Sequence, residues 1–138
     1  MTVGLRVGDS YYEIGSPVLL HCFLSTINYN LEPRGWGSRY PFLMNGLYSG
    51  SLQWQICDLA LLELADIRQN LEGYLPSKLV WDIDNLALVP PWDEIFSFTS
   101  SDLIAYFITI TGEDLCTVLS IALTEAIAQQ VDIYLEQQ

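Results

Sequence analysis

The chain has 138 residues, of which 51% are apolar and 12% aromatic, enough material for the core of one domain spanning residues 1–138. Its 17 acidic residues outnumber 5 basic ones, for a formal charge of −12. That balance excludes a protein that neutralises nucleic-acid phosphates with clustered Lys and Arg.

Thr2–Val7 and Ser10–Ile14, joined by Gly8-Asp9, read as a β-hairpin. Ser16-Pro17 reads as a helix start, with Ser capping and Pro in the first turn. Leu20, Leu24, Ile27 and Leu31 then form an apolar stripe at helical spacing, and Pro33 ends the helix near Glu32. Arg34–Tyr40 reads as a loop, and Pro41–Leu47 as a short helix stopped by Gly50. Ser51 is the expected cap of a long helix running to about Leu71, with Cys57, Leu61, Leu64 and Leu71 as core stripe and Ala60 and Ile67 alongside. Asp58, Glu63, Asp66 and Gln69 of that helix are expected to face water. Leu79–Ile83 reads as a short strand, Asn85–Phe98 as irregular, and Tyr106–Thr111 as a β-branched strand. Glu113 and Asp114 open a last helix, where negative charge suits the helix dipole, and Val131–Leu135 alternates as a closing strand. The order β-β-α-α-α-β-β-α-β predicts an α+β domain. Its mostly antiparallel sheet has about five strands, with three or four helices packed on one face.

Charge is distributed unevenly. Residues 1–78 hold all five cations (Arg6, Arg34, Arg39, Arg68 and Lys78), whereas residues 79–138 hold ten acids and none. Such a single-sign stretch is either a solvated surface or a face that steers and docks a basic partner. The cysteines Cys22, Cys57 and Cys116 are too far apart in sequence for a metal or redox C-x-x-C pair, and are expected to be buried free thiols in a reducing cytoplasm. Asp9 and Glu13 interrupt the amino terminus before any apolar run, so no secretory signal is expected. Ile14–Leu31 lacks Asp, Glu, Lys and Arg. Its Pro17, His21, Ser25, Thr26, Asn28 and Asn30 nevertheless argue against a membrane helix.

Catalytic constellations are sparse. The one His, His21, has Ser25 four residues on but no local acid to complete a nucleophile–base–acid relay. Gly46–Gly50 lacks the Lys-Ser/Thr of a phosphate loop. The paired carboxylates are Asp82 with Asp84, Asp93 with Glu94, and Glu113 with Asp114. In a strand, Asp82 and Asp84 would share a face, and their mutual repulsion would be relieved by a cation, either a metal or a partner's Lys or Arg. No Asp-rich calcium loop and no neighbouring His accompany them, so neither metal nor cofactor is expected. Trp54 and Trp81 read as core residues, whereas Trp36 and Trp92, in predicted loops, are read either as packing over the core or as binding anchors. Asp82, Asp84, Trp92, Asp93 and Glu94, crowded within thirteen residues without a cation, are the candidate partner-binding residues.

Trp36-Gly-Ser-Arg-Tyr-Pro41, Leu47-Tyr-Ser-Gly50 opening a helix, Val80-Trp-Asp-Ile-Asp84 and Pro90-Pro-Trp92 resemble the immunity protein 70 family. So do the opening strand pair followed by Gly15-Ser-Pro and a helix with His21 and Phe23, and the Gly112-Glu-Asp-Leu115 helix start. The resemblance covers essentially the whole chain. It implies a cytoplasmic, non-catalytic protein that binds and neutralises a cognate bacterial toxin. Acidic inhibitors of this type suit a basic toxin, such as a nuclease, with no role for nucleic acid or membrane. Two other readings stand beside it: an adaptor subunit pairing through exposed apolar area, consistent with the mean hydropathy of +0.27, and a small ligand-binding domain or hydrolase using paired carboxylates. The oligomeric state is left open.

Overall fold

The computed structural model describes residues 2–75, 78–87 and 103–137. The hairpin forms as expected: β1 (Val3–Val7) pairs antiparallel with β2 (Ser10–Gly15). Helix α1 (Pro17–Leu31) starts where Ser16 Oγ accepts the amide of Val18 at 3.1 Å, and ends at Glu32, ahead of Pro33. A π-helical turn (Phe42–Gly46) and a single 3₁₀ turn (Leu47–Ser49) follow. Two further helices, α2 (Cys57–Leu71) and α3 (Leu115–Gln129), precede the closing strand β4 (Ile133–Gln137).

The sheet has four strands among the described residues, not about five; with Ser51–Leu52 as β3, every pairing is antiparallel in the order β2-β1-β4-β3. Three expectations change to give this result. Ser51 does not cap α2: Ser51–Leu52 forms the short strand β3 against Tyr134 and Ile133, and a 3₁₀ turn (Trp54–Ile56) intervenes before Cys57. Gly50, at φ +140°, turns the chain into β3, and its carbonyl accepts Leu135 N–H at 2.8 Å. Tyr106–Thr111 is not a strand. Leu103–Tyr106 makes a 3₁₀ turn, and only Ile108 bridges to Asp114. Leu79–Ile83 is not a strand either, because its backbone groups are taken by side chains of α1, as described below.

Central strand β1 shows why one sheet face is covered. Val3, Leu5 and Val7 are buried in the core with Ile14 and Ile133. On the opposite face Arg6 lies over the Tyr11 ring at 4.9 Å and meets Glu136 at 3.3 Å. Gly4 also belongs to that face, where a Cβ would collide with the Tyr11 ring at 2.5 Å. The helices supply the rest of the core. Phe23 of α1 meets Phe107 edge-to-face at 5.0 Å, α2 contributes Cys57, Ala60, Leu64, Ile67 and Leu71, and α3 contributes Leu115, Cys116, Val118, Leu119, Ala122, Leu123 and Ala126. All three cysteines are buried and free. Burial pushes the thiols up, Cys22 and Cys116 to about 12 and Cys57 to about 11, so they behave as small apolar groups.

Glu63 and Asp66 of α2 do not simply face water. Glu63 accepts the amides of Phe42 at 3.1 Å and Leu43 at 2.9 Å. Asp66 accepts the Tyr40 hydroxyl at 2.7 Å and pairs with Arg39 at 2.9 Å. Trp54 and Trp81 are half-buried, not fully buried. Trp81 packs on the core cluster, and Trp54 lines a surface concavity of about 500 Å³ with Arg6, Asp132 and Tyr134.

Candidate functional site

The segment carrying Asp82 is laid along α1 by hydroxyl and amide side chains. Thr26 Oγ1 accepts Val80 N–H at 3.0 Å and sits 2.9 Å from the Cys22 carbonyl, to which it donates. Ser25 Oγ accepts Ile83 N–H at 3.1 Å, and Asn30 Nδ2 donates to the Lys78 carbonyl at 2.9 Å. These residues lie on successive turns of one helix, so the segment is strapped to α1 without a partner strand. The strap explains why a run rich in strand-forming residues is not a strand. It also brings Asp82 to His21, one turn earlier on α1.

His21 Nε2 lies 3.1 Å from Asp82 Oδ1, and Nδ1 lies 3.0 Å from the Tyr48 hydroxyl. In the neutral ring, Nε2–H donates to the carboxylate while the phenol donates to Nδ1. The ring stacks against Trp36 and Tyr48, at centroid distances of 6.3 and 6.2 Å. Trp36 is anchored by its indole N–H, which donates to the Met44 carbonyl at 3.0 Å. That contact and its half-buried position against the core give it a packing role while keeping it at the site.

Asp82 and Asp84 do converge, though not as alternate residues of a strand. Asp82 Oδ1 accepts the amide of Asp84 at 2.9 Å, a side-chain turn that folds the second carboxylate back beside the first. This amide, followed by His21, holds the Asp82 carboxyl below its ordinary value. Burial pushes the Tyr48 phenol up, and the charges of Asp84 and then Asp82 push it further. Such a phenol is held protonated, the reverse of an activated nucleophile. Ser25 is not paired with His21 either: both ring nitrogens face Asp82 and Tyr48, and the buried Ser25 hydroxyl accepts Ile83 N–H.

Of the five candidate partner-binding residues, Asp82 and Asp84 stand together at this site. Trp92, Asp93 and Glu94 lie outside the described residues. Sequence reasoning missed His21 and Tyr48, and left Trp36 undecided. His21 and Asp82 are 61 residues apart and Tyr48 lies between them, so no motif of fixed spacing links the three. Among the described residues, the arginine–carboxylate pairs are Arg6–Glu136, Arg39–Asp66 and Arg68–Asp114, and none involves Asp82 or Asp84.

A family model for immunity protein 70 matches residues 5–135, nearly the whole chain. The chain belongs to the immunity protein 70 family. No curated protein and no solved structure gives a significant match. Membership makes this an immunity-type protein, a class of binding proteins that are generally not catalysts. No helix among the described residues is long and apolar enough to cross a membrane. The motifs that carry the resemblance thereby gain a physical location. The tryptophan loop and the Leu47–Gly50 turn supply Trp36 and Tyr48, α1 supplies His21, and the Val80–Asp84 run supplies the two acids, all to one corner of the domain.

Proposed function

We propose that this immunity protein 70 member binds and neutralises a cognate, basic toxin domain in the cytoplasm, without catalysis, through the corner that carries Asp82 and Asp84. The observation that carries the reading is that two adjoining carboxylates have no arginine or lysine pair among the described residues, whereas other acids of the domain are tied to arginines. Asp82 has only the His21 ring and the Asp84 amide beside it, and carboxylates without an arginine or lysine of their own suit a partner's cations. The acidic second half of the chain would speed encounter with such a partner, and Trp92 is assigned the role of aromatic anchor. Trp92, Asp93 and Glu94 are assigned to the same interface from their place in the sequence.

The test is affinity for the toxin domain encoded by the neighbouring gene. Tight binding should weaken with added salt. Replacing Asp82, Asp84, Asp93 and Glu94 together by their amides should slow association and flatten the salt dependence. Unchanged affinity and salt dependence in that variant would remove these residues from the interface. Failure to bind the toxin at all would overturn the function.

A further inference from the structure

We infer that His21, Asp82 and Asp84 form a binding site for a divalent first-row transition-metal ion, zinc by preference. One ligand atom from each residue, a ring nitrogen of His21 and an oxygen of each carboxylate, lies within 4.8 Å of the other two. The closest pair, Nε2 and Asp82 Oδ1 at 3.1 Å, already has the separation of neighbouring ligands. Two bonds of about 2.1 Å put their ends about 3.4 Å apart at the tetrahedral angle zinc prefers and about 3.0 Å apart at a right angle, so a small shift suffices. The longer gap falls to Asp84, whose exposed side chain is free to turn between rotamers and close on an ion.

The donor set selects the class of ion. One imidazole nitrogen and two carboxylate oxygens suit zinc or its first-row neighbours, whereas calcium and magnesium prefer oxygen alone. Charge agrees as well: a divalent ion balances two carboxylates that form no ion pair with an arginine or lysine among the described residues.

The surroundings resemble those of metal-binding histidines. Such a ring normally gives its second N–H to an oxygen partner, which fixes the tautomer and the ring's orientation. Here Nδ1 has the Tyr48 hydroxyl at 3.0 Å. When Nε2 takes an ion, the single ring proton moves to Nδ1 and donates to Tyr48, whose own proton turns outward. Trp36 and Tyr48 hold the ring plane. The Asp84 amide holds Asp82, and Ser25 and Thr26 fix the segment behind it. Three protein ligands on the solvent side leave positions open for water.

The site can be tested on the full chain, stripped with chelator and titrated with zinc chloride and then cobalt chloride. We expect one saturating zinc site and a cobalt spectrum without thiolate charge-transfer bands, since the three thiols are buried. His21 is the sole histidine, so its ring ¹⁵N signals report the tautomer directly, and they should change from Nε2–H to Nδ1–H on zinc addition. Asp84→Asn, at an exposed position, should leave the fold intact and weaken zinc binding by about tenfold or more, and Tyr48→Phe by about tenfold. Binding that is only millimolar, that leaves the His21 ring signals unmoved, or that is equal in Asp84→Asn would overturn the site. The two readings share Asp82 and Asp84, but the toxin plays no part in this readout, so failure of the metal site and failure of the proposed function are distinguishable.

Discussion

Helix α1 has a carboxylate cluster at each end, and the two clusters use their charge in opposite ways. Just past its C-terminus, Glu32 is 2% exposed. Its carboxylate accepts the amides of Gly37, Arg39 and Tyr40 at 3.1, 3.1 and 3.0 Å, and the Asn28 side chain at 3.2 Å. Glu63 and Asp66 extend the pattern, so that three acids of the cation-bearing half of the chain serve as the framework of one loop. Near the other end of α1, Asp82 accepts one amide and one imidazole, and Asp84 remains exposed. An acid surrounded by backbone N–H groups is part of the fold. An acid with few such donors and an exposed carboxylate beside it is available to something outside the fold. Counting charges cannot separate the two, and the ten acids of residues 79–138 are no single functional class: Asp114 and Glu136 are held by arginines, and Glu125 by Tyr12 and Ser10.

The largest effect should come from breaking the structural end of this contrast. Glu32→Ala leaves three loop amides without an acceptor, at about 1–3 kcal/mol for each one that stays buried, so a loss of about 3 kcal/mol is expected in urea unfolding. Toxin affinity, corrected for the folded fraction, should be unchanged. A loss of affinity as large as the loss of stability would mean that the two ends of α1 are not independent.

A smaller effect is expected where the strap joins the two. Thr26→Val removes a buried hydroxyl that accepts from Val80 N–H and donates to Cys22 O, and should cost about 1–2 kcal/mol. Because the strap presents Asp82 to His21, this variant should also free the His21 ring, read as loss of its fixed tautomer signals. Retention of those signals would show that Ser25 and Asn30 suffice to hold the segment.

Tyr40→Phe probes the framework loop at about 1 kcal/mol, one hydrogen bond to Asp66. It carries a pH signature too. Burial, and then the hydrogen bond to Asp66, push the Tyr40 phenol well above its ordinary value of 10.0. The folded chain therefore keeps this proton after the unfolded chain has lost it. The stability it confers is complete below pH 10.0 and declines as pH rises beyond it. Tyr40→Phe should show a shallower alkaline decline than the wild type in urea midpoints, and parallel declines would refute the assignment.

The fold was legible in the sequence wherever a period was long enough to read. The hairpin, the Ser16-Pro17 start, and the apolar stripes of α1 and α2 follow from local pattern, because an apolar face at helical spacing is buried once the chain folds. The misread segments are short. Ser51–Leu52 has too few residues to show alternation, and Leu79–Ile83 has the composition of a strand but lies where α1, not a strand, offers hydrogen-bond partners. The site was half legible. Asp82 and Asp84 could be chosen because a pair of like charges two residues apart needs an explanation wherever it folds. His21 could not, since its pairing is made by the strap between distant segments, and its neighbours on the helix give no hint of an acid.

The smallest effect on stability, and the sharpest on the contrast, belongs to Asp84→Asn. The carboxylate is exposed and makes no ion pair among the described residues, so in the metal-free chain the change should move stability by no more than about 0.5 kcal/mol. Toxin association should slow nonetheless, most clearly at low salt, because an uncompensated charge near the contact acts on encounter more than on the residence time of the complex. Stopped-flow association at several salt concentrations separates the possibilities. A slower on-rate with an unchanged unfolding midpoint places Asp84 among the charges the fold leaves free. A shifted midpoint with an unchanged on-rate would move it to the same structural class as Glu32, and the difference between the two ends of α1 would then be one of burial alone.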